Sequence, residues 1–193
     1  MNFVQAGATG FALLTAVAVS GCAGGGSAPA PQPAVPPQSA VQIQSPKDAR
    51  AVQLCGLLPP AAAQSLQLSP QGEEREDSLD SNQPPVCEWK SAAGDPRSLS
   101  LRVDDMPIAP LLNQKPSTWG DYAKLNIAGY PAVRGNMGDP ATSGFCGIYM
   151  ATQENQMLVS NAALPGNEVG KTDACQIAQQ GLEAAVASLP PAK

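Results

Sequence analysis

The sequence predicts an α+β fold: an antiparallel sheet with helices packed on one side, in a single domain that follows a disordered tether. Three observations lead there. Strand-like alternation is confined to the middle of the chain, as in RSLSLRV, where Leu99, Leu101 and Val103 alternate with Ser98, Ser100 and Arg102. Helix-like spacing flanks that region, most clearly in TDACQIAQQGLEAAVASLP. Four cysteines, Cys55, Cys87, Cys146 and Cys175, are spread singly through the same stretch. Strands in the middle with helices at both ends give a layered domain rather than an alternating parallel one.

The elements follow in order. Gly10–Val19 is an uncharged, largely apolar run, shorter than the roughly 20 residues a spanning helix needs. It fits the apolar segment of a signal peptide. It ends in VSGC, Val19 to Cys22, which looks like a bacterial lipobox. Small residues at Ser20 and Gly21 would let a peptidase reach the backbone beside an acylated cysteine. The expectation is a signal peptide over 1–21 and lipidation at Cys22, with at least two acyl chains for a stable anchor. One feature departs from this pattern: MNFVQAG, ahead of the run, has no Lys or Arg. A signal with only its α-amino charge is weak, or the true start lies upstream of Met1. Residues 22–48 then read as the lipidated cysteine and a flexible tether. The segment AGGGSAPAPQPAVPPQSAVQIQSP has no charge and cannot bury enough apolar surface to offset its ordering. Its extended limit is about 70 Å.

The globular domain is expected over 49–193. CGLLPPAAAQSLQL reads as a short helix started by Pro59 or Pro60. Gln71–Pro85 reads as a polar loop. VCEWKS and RSLSLRV form a hairpin across the turn signal AAGDP. PIAPLLNQK and STWGDYAKL are assigned short helical turns. AKLNIAGYPAVRG is an extended segment turning near Gly129, and GNMGDPATSG is a loop. FCGIYMAT and QMLVSNAA make a second hairpin through QEN. The last helix is capped by Thr172 or Asp173, buries Ala178, Leu182, Ala185, Val186 and Leu189 on one face, and stops at Pro190.

Composition excludes some functions. The chain carries 11 Lys+Arg against 16 Asp+Glu, with no basic cluster to meet phosphates, so no nucleic-acid partner is expected. It has no histidine, which removes the commonest general base and metal ligand. No catalytic motif or phosphate loop is present, and the singly spaced cysteines do not resemble a zinc site. The expectation is a protein that is not an enzyme, with no cofactor, no metal and no catalytic residue. The acid clusters Glu73–Asp77 and Asp104–Asp105 read as solvated charge. Trp89, beside Cys87, reads as core packing against a cystine. Trp119, in PSTWGDY, is the aromatic placed to contact a ligand such as a sugar or lipid.

The series LCGLLPP, CEWKS, SLSLRV, IAGYPAVRG, FCGIYMAT, QMLVS and DACQIAQQGLEAAVASLP resembles the actinobacterial lipoprotein family built on domain of unknown function 3558. The match runs from about Cys55 to Pro190 and includes the order of all four cysteines. A looser likeness is to the extracellular sensor domain of a mycobacterial receptor kinase. The resemblance implies a lipid-anchored protein on the extracytoplasmic face of the cell membrane, and no activity. Export implies two disulfides among Cys55, Cys87, Cys146 and Cys175. Four cysteines allow three pairings. Cys55–Cys87 with Cys146–Cys175 is favoured, and Cys55–Cys175 with Cys87–Cys146 is the runner-up. The leading functional expectation is a tethered binding or accessory module of the bacterial envelope. Its partners would be the membrane, through Cys22, and an unknown envelope ligand or protein. The alternatives are an enzyme acting on envelope polymers and a purely structural surface protein.

Overall fold

The computed structural model describes residues 41–76 and 83–193. Cys22 and the segments read as signal peptide and tether, up to residue 40, lie outside the described residues, as does the middle of the segment read as a polar loop. Among the described residues a seven-stranded, wholly antiparallel sheet carries four α-helices. The strands are β1 (Glu73–Arg75), β2 (Val86–Lys90), β3 (Ser98–Asp104), β4 (Asp121–Ile127), β5 (Tyr130–Asn136), β6 (Phe145–Gln153) and β7 (Gln156–Ala163). Their spatial order is β1-β2-β3-β7-β6-β5-β4. The chain completes β1 to β3, crosses to the far edge, and meanders back until β7 lies beside β3. That last pairing sets Leu99 opposite Ala162 and Val103 opposite Leu158.

Alternation sorts side chains onto two faces. One face carries Trp89, Leu99, Leu101, Ile148, Met150 and Leu158, all buried. Against it lies α4 (Ala174–Ser188), through Ala178, Leu182, Ala185 and Val186. Burying each such Leu or Ile is worth about 1.5–3 kcal/mol. Asp173 caps α4, accepting from the N–H groups of Cys175 and Gln176. The helix α1 (Pro60–Ser65) has proline at its first position, where the missing N–H costs nothing, and contributes Ala63 to the same core. Gly181 sits where α4 crosses β3; a Cβ there would lie 2.8 Å from Leu99 Cδ2.

The disulfides pair as favoured. Cys55–Cys87 joins the turn before α1 to β2, and Cys146–Cys175 joins β6 to the first turn of α4. Their Cα separations are 5.2 and 5.0 Å. Trp89 is fully buried beside Cys87 on the core face.

A smaller apolar cluster lies on the opposite sheet face. There Val133, Ala151 and Met157 meet Ile108 and the one-turn helix α2 (Ala109–Leu112). Tyr122 anchors α2 by donating to the Leu111 carbonyl at 3.0 Å.

Four segments differ from the sequence reading. The polar loop contains β1, because Arg75 pairs with Glu88 and Lys90 reaches Glu73 across the β2 surface. PIAPLLNQK holds the expected helical turn as α2, but in STWGDYAKL the helical turn is confined to its start, Pro116–Thr118, and β4 begins at Asp121. The loop before β6 holds a single helical turn, α3 (Pro140–Ser143), capped by Asp139. Finally, 41–48, read as the end of the tether, lies on the domain. Lys47 N–H donates to Thr152 O (2.9 Å) and Asp48 N–H to Pro190 O (3.0 Å). Ala192 N–H donates back to Pro46 O (2.9 Å), and the Tyr130 hydroxyl donates to Ser45 O (2.6 Å). A β-bulge between Ala151 and Gln153 interrupts the ladder at Thr152, leaving its carbonyl for Lys47.

Candidate functional site

The sheet face away from α4 is covered in part by α2 and its apolar cluster. At the end where β5 finishes and β6 begins, it forms a groove of about 280 Å³. That is at the small end of ligand clefts, which run from roughly 300 Å³ upward. Its walls are Trp119, just ahead of β4, Met137 after β5, and Phe145 and Tyr149 on β6. Its floor is Gly135 and Gly147, with Asn161 of β7 beside them. No residue lining the groove carries a charge.

Local causes produce this shape. The β5–β6 ladder runs from Ala132 to Arg134 and then opens. Asn136 fills the gap: its Oδ1 accepts from Gly147 N–H at 2.7 Å, and its Nδ2 donates to Asp121 at 3.0 Å. Arg134 holds the same Asp121 carboxylate through two bonds of 2.8 Å. The splayed strands are therefore tied by side chains where backbone pairing ends. Glycine keeps the floor low. The Trp119 ring lies over Gly135, with three ring carbons 3.4 Å from where a Cβ would stand. The Asn161 Oδ1 lies over Gly147, 3.0 Å from its Cβ position.

The groove presents apolar surface and spare hydrogen-bonding capacity together. Phe145 and Met137 are large apolar side chains exposed at 46% and 82%. The Asn161 amide and the Tyr149 hydroxyl form no hydrogen bond with another described residue, and Trp119 Nε1 is buried without an acceptor. Burial raises the Tyr149 pKa above its ordinary value; Arg102 pulls it down and Asp104 pushes it up. Tyr149 is thus a neutral hydroxyl at physiological pH.

A second cavity, about 380 Å³, lies between β4–β5 and the start of α4. Its carboxylates already have work within the fold. Asp121 is paired with Arg134, while Asp139 and Asp173 cap α3 and α4. Several members of the acid clusters are similarly engaged: Glu73 with Lys90, Asp104 with Arg102, and Asp105 with Arg50. Asp77 lies outside the described residues. Among the described residues no group of three or more His, Cys, Asp or Glu is placed to hold a metal ion. No helix among them is long and apolar enough to cross a membrane.

Of the residues singled out beforehand, Trp119 lines the groove and the four cysteines form the two cystines. Cys22 lies outside the described residues. Phe145, Tyr149, Asn161, Gly135 and Gly147 were not singled out; each reads locally as an ordinary strand residue, and only the β5–β6–β7 register gathers them.

Fold and groove together define a disulfide-stapled α+β domain with an open, uncharged cleft on the sheet face opposite α4. The chain belongs to the family described as Protein of unknown function (DUF3558), whose model matches residues 17–188. No curated protein and no solved structure matches the chain.

Proposed function

We propose that this protein is a lipid-anchored, non-catalytic binding module of the bacterial cell envelope, held to the extracytoplasmic face of the membrane through Cys22. The observation that carries the binding role is the uncharged groove on the sheet face opposite α4, where exposed aromatic surface meets polar groups that have no partner among the described residues. The anchor is supported by the apolar run ending in VSGC and by the uncharged Gly/Pro segment after it. The family match begins at residue 17, ahead of Cys22, so the matched pattern includes this junction. Two disulfides suit an oxidising compartment outside the cytosol. The carboxylates around the second cavity cap helices or pair with Arg134, which favours a structural role for them over acid–base chemistry.

The test is metabolic labelling with an alkyne fatty acid, comparing the wild type with Cys22→Ser, followed by cross-linking of the labelled form in intact cells. Label on the wild type alone is the expected result. Equal labelling of both forms, or of neither, removes the anchor. Intact-mass analysis gives a second readout: the mature chain should begin at an acylated Cys22.

A further inference from the structure

We infer that the groove between Trp119 and Asn161 binds a neutral saccharide, with a sugar ring lying against the aromatic wall. This rests on the binding-module reading above and names its ligand class. Three features of the groove select the chemistry.

The first is charge. No lining residue is ionic, and Arg102 and Asp104, the two charges that act on Tyr149, pair with each other at 2.9 Å. A phosphate, carboxylate or ammonium entering here would lose water and find no counter-charge. The ligand is therefore neutral.

The second is the mixture of surfaces. Trp119, Phe145 and Tyr149 offer rigid apolar area at small entropic cost. Between them the Asn161 amide and the Tyr149 hydroxyl have no hydrogen-bond partner among the described residues. A plain acyl chain would cover these polar groups without satisfying them, and a site with buried unpaired polar groups rejects such a ligand. A sugar ring has an apolar C–H face and an equatorial fringe of hydroxyls. It can lie on an aromatic plane while its hydroxyls meet an amide that both donates and accepts.

The third is shape. The groove is shallow, and its two glycines let the protein's own Trp119 ring and Asn161 amide settle close to the strand backbone, so that these groups stand as its inner surface. Trp119 is seated on Gly135, which fixes the plane of the indole before a ligand arrives.

The experiment uses the full chain, extracted in a detergent without a sugar headgroup. It is titrated with neutral hexose and pentose oligomers, a uronate oligomer, a saturated fatty acid and a random peptide pool, following tryptophan fluorescence and calorimetry. Neutral oligomers should give saturable binding, and the uronate should bind at least tenfold more weakly. Trp119→Ala should weaken binding at least tenfold. Tyr149→Phe and Asn161→Ala should each weaken it about three- to tenfold, the net effect of one hydrogen bond. Tyr149→Phe keeps the ring, so it reports even if Trp119→Ala unfolds. Saturable binding of the fatty acid or peptide without the neutral oligomers overturns the saccharide assignment and leaves the binding module standing. Sugar binding untouched by Tyr149→Phe and Asn161→Ala overturns the location. Binding of none of the probes overturns both readings.

Discussion

Trp119 lies over Gly135 at ordinary van der Waals range, with ring carbons 3.4 Å from the Cβ position. Alanine should therefore fit at 135 with little displacement, whereas the branched side chain of Gly135→Val should push the indole off its seat. The check is the emission maximum: unchanged for Gly135→Ala and shifted to the red for Gly135→Val, since Trp89 is fully buried beside a quenching cystine. Tyr149 makes a pH prediction. Burial raises its pKa, so the folded chain keeps this proton to higher pH than the unfolded chain does. Its contribution to stability is complete below about pH 10, the unfolded value, and is lost as pH rises through the folded one. Denaturant midpoints should fall on the alkaline side in the wild type and fall less in Tyr149→Phe; identical profiles would remove the claim. Tyr130, also raised by burial, accounts for part of the remaining slope. At the start of α4, Asp173→Ala removes two accepted N–H bonds and should cost about 1 kcal/mol, read as a lower urea midpoint at constant slope.

Among the elements, α4 and the two hairpins with clear alternation were legible from the chain alone. Their side chains repeat at one period because one face is buried and the other is not. β4 was legible in part: Ala123–Ile127 and the turn at Gly129 fall in the extended segment read from the sequence, but the strand's start at Asp121 was not, because this edge strand is partly exposed on both faces and follows no single period. β1 has three exposed residues, held by cross-strand charges that sequence spacing cannot place opposite each other. The groove was legible only in Trp119. Asn161 of β7 and Gly147 of β6 face each other through a pairing 14 residues apart, and Gly135 joins them through the splay of β5. The contact between α4 and β3 yields a further test. At Gly181 a side chain would gain helix propensity of up to about 1 kcal/mol and press on Leu99 at 2.8 Å. Alanine should come out near neutral, since only a Leu methyl must move. Gly181→Val overfills the site and should destabilise the fold by about 1–3 kcal/mol in urea unfolding. The cystine tying α4 to β6 closes a 29-residue separation. Replacing both Cys146 and Cys175 with serine should cost about 3–4 kcal/mol and lower the Tm.

At the scale of the whole molecule, the N-terminal segment and the groove lie at opposite ends of β6. Val41 and Ile43 pack near the β6–β7 turn at Gln153–Asn155, while Phe145 in the groove starts the strand. Eight strand rises separate Phe145 from Gln153, about 26 Å. The groove thus lies at the end of β6 remote from where the chain enters the domain, and a spin label at the exposed Met137 should be accessible to a water-soluble quencher. The seam formed by residues 41–49 has a mechanical consequence. A pull applied from the N-terminal side, as the proposed anchoring at Cys22 would apply it, enters the domain here, through a few hydrogen bonds that break one after another. Peeling cannot pass Cys55, because its cystine hands the load to β2 in the sheet. The segment from Val41 to Leu54, about 14 residues, would pay out roughly 45–50 Å of slack before the core feels tension. Force spectroscopy should record that short, low-force extension ahead of domain unfolding, and reducing agent should remove its fixed length.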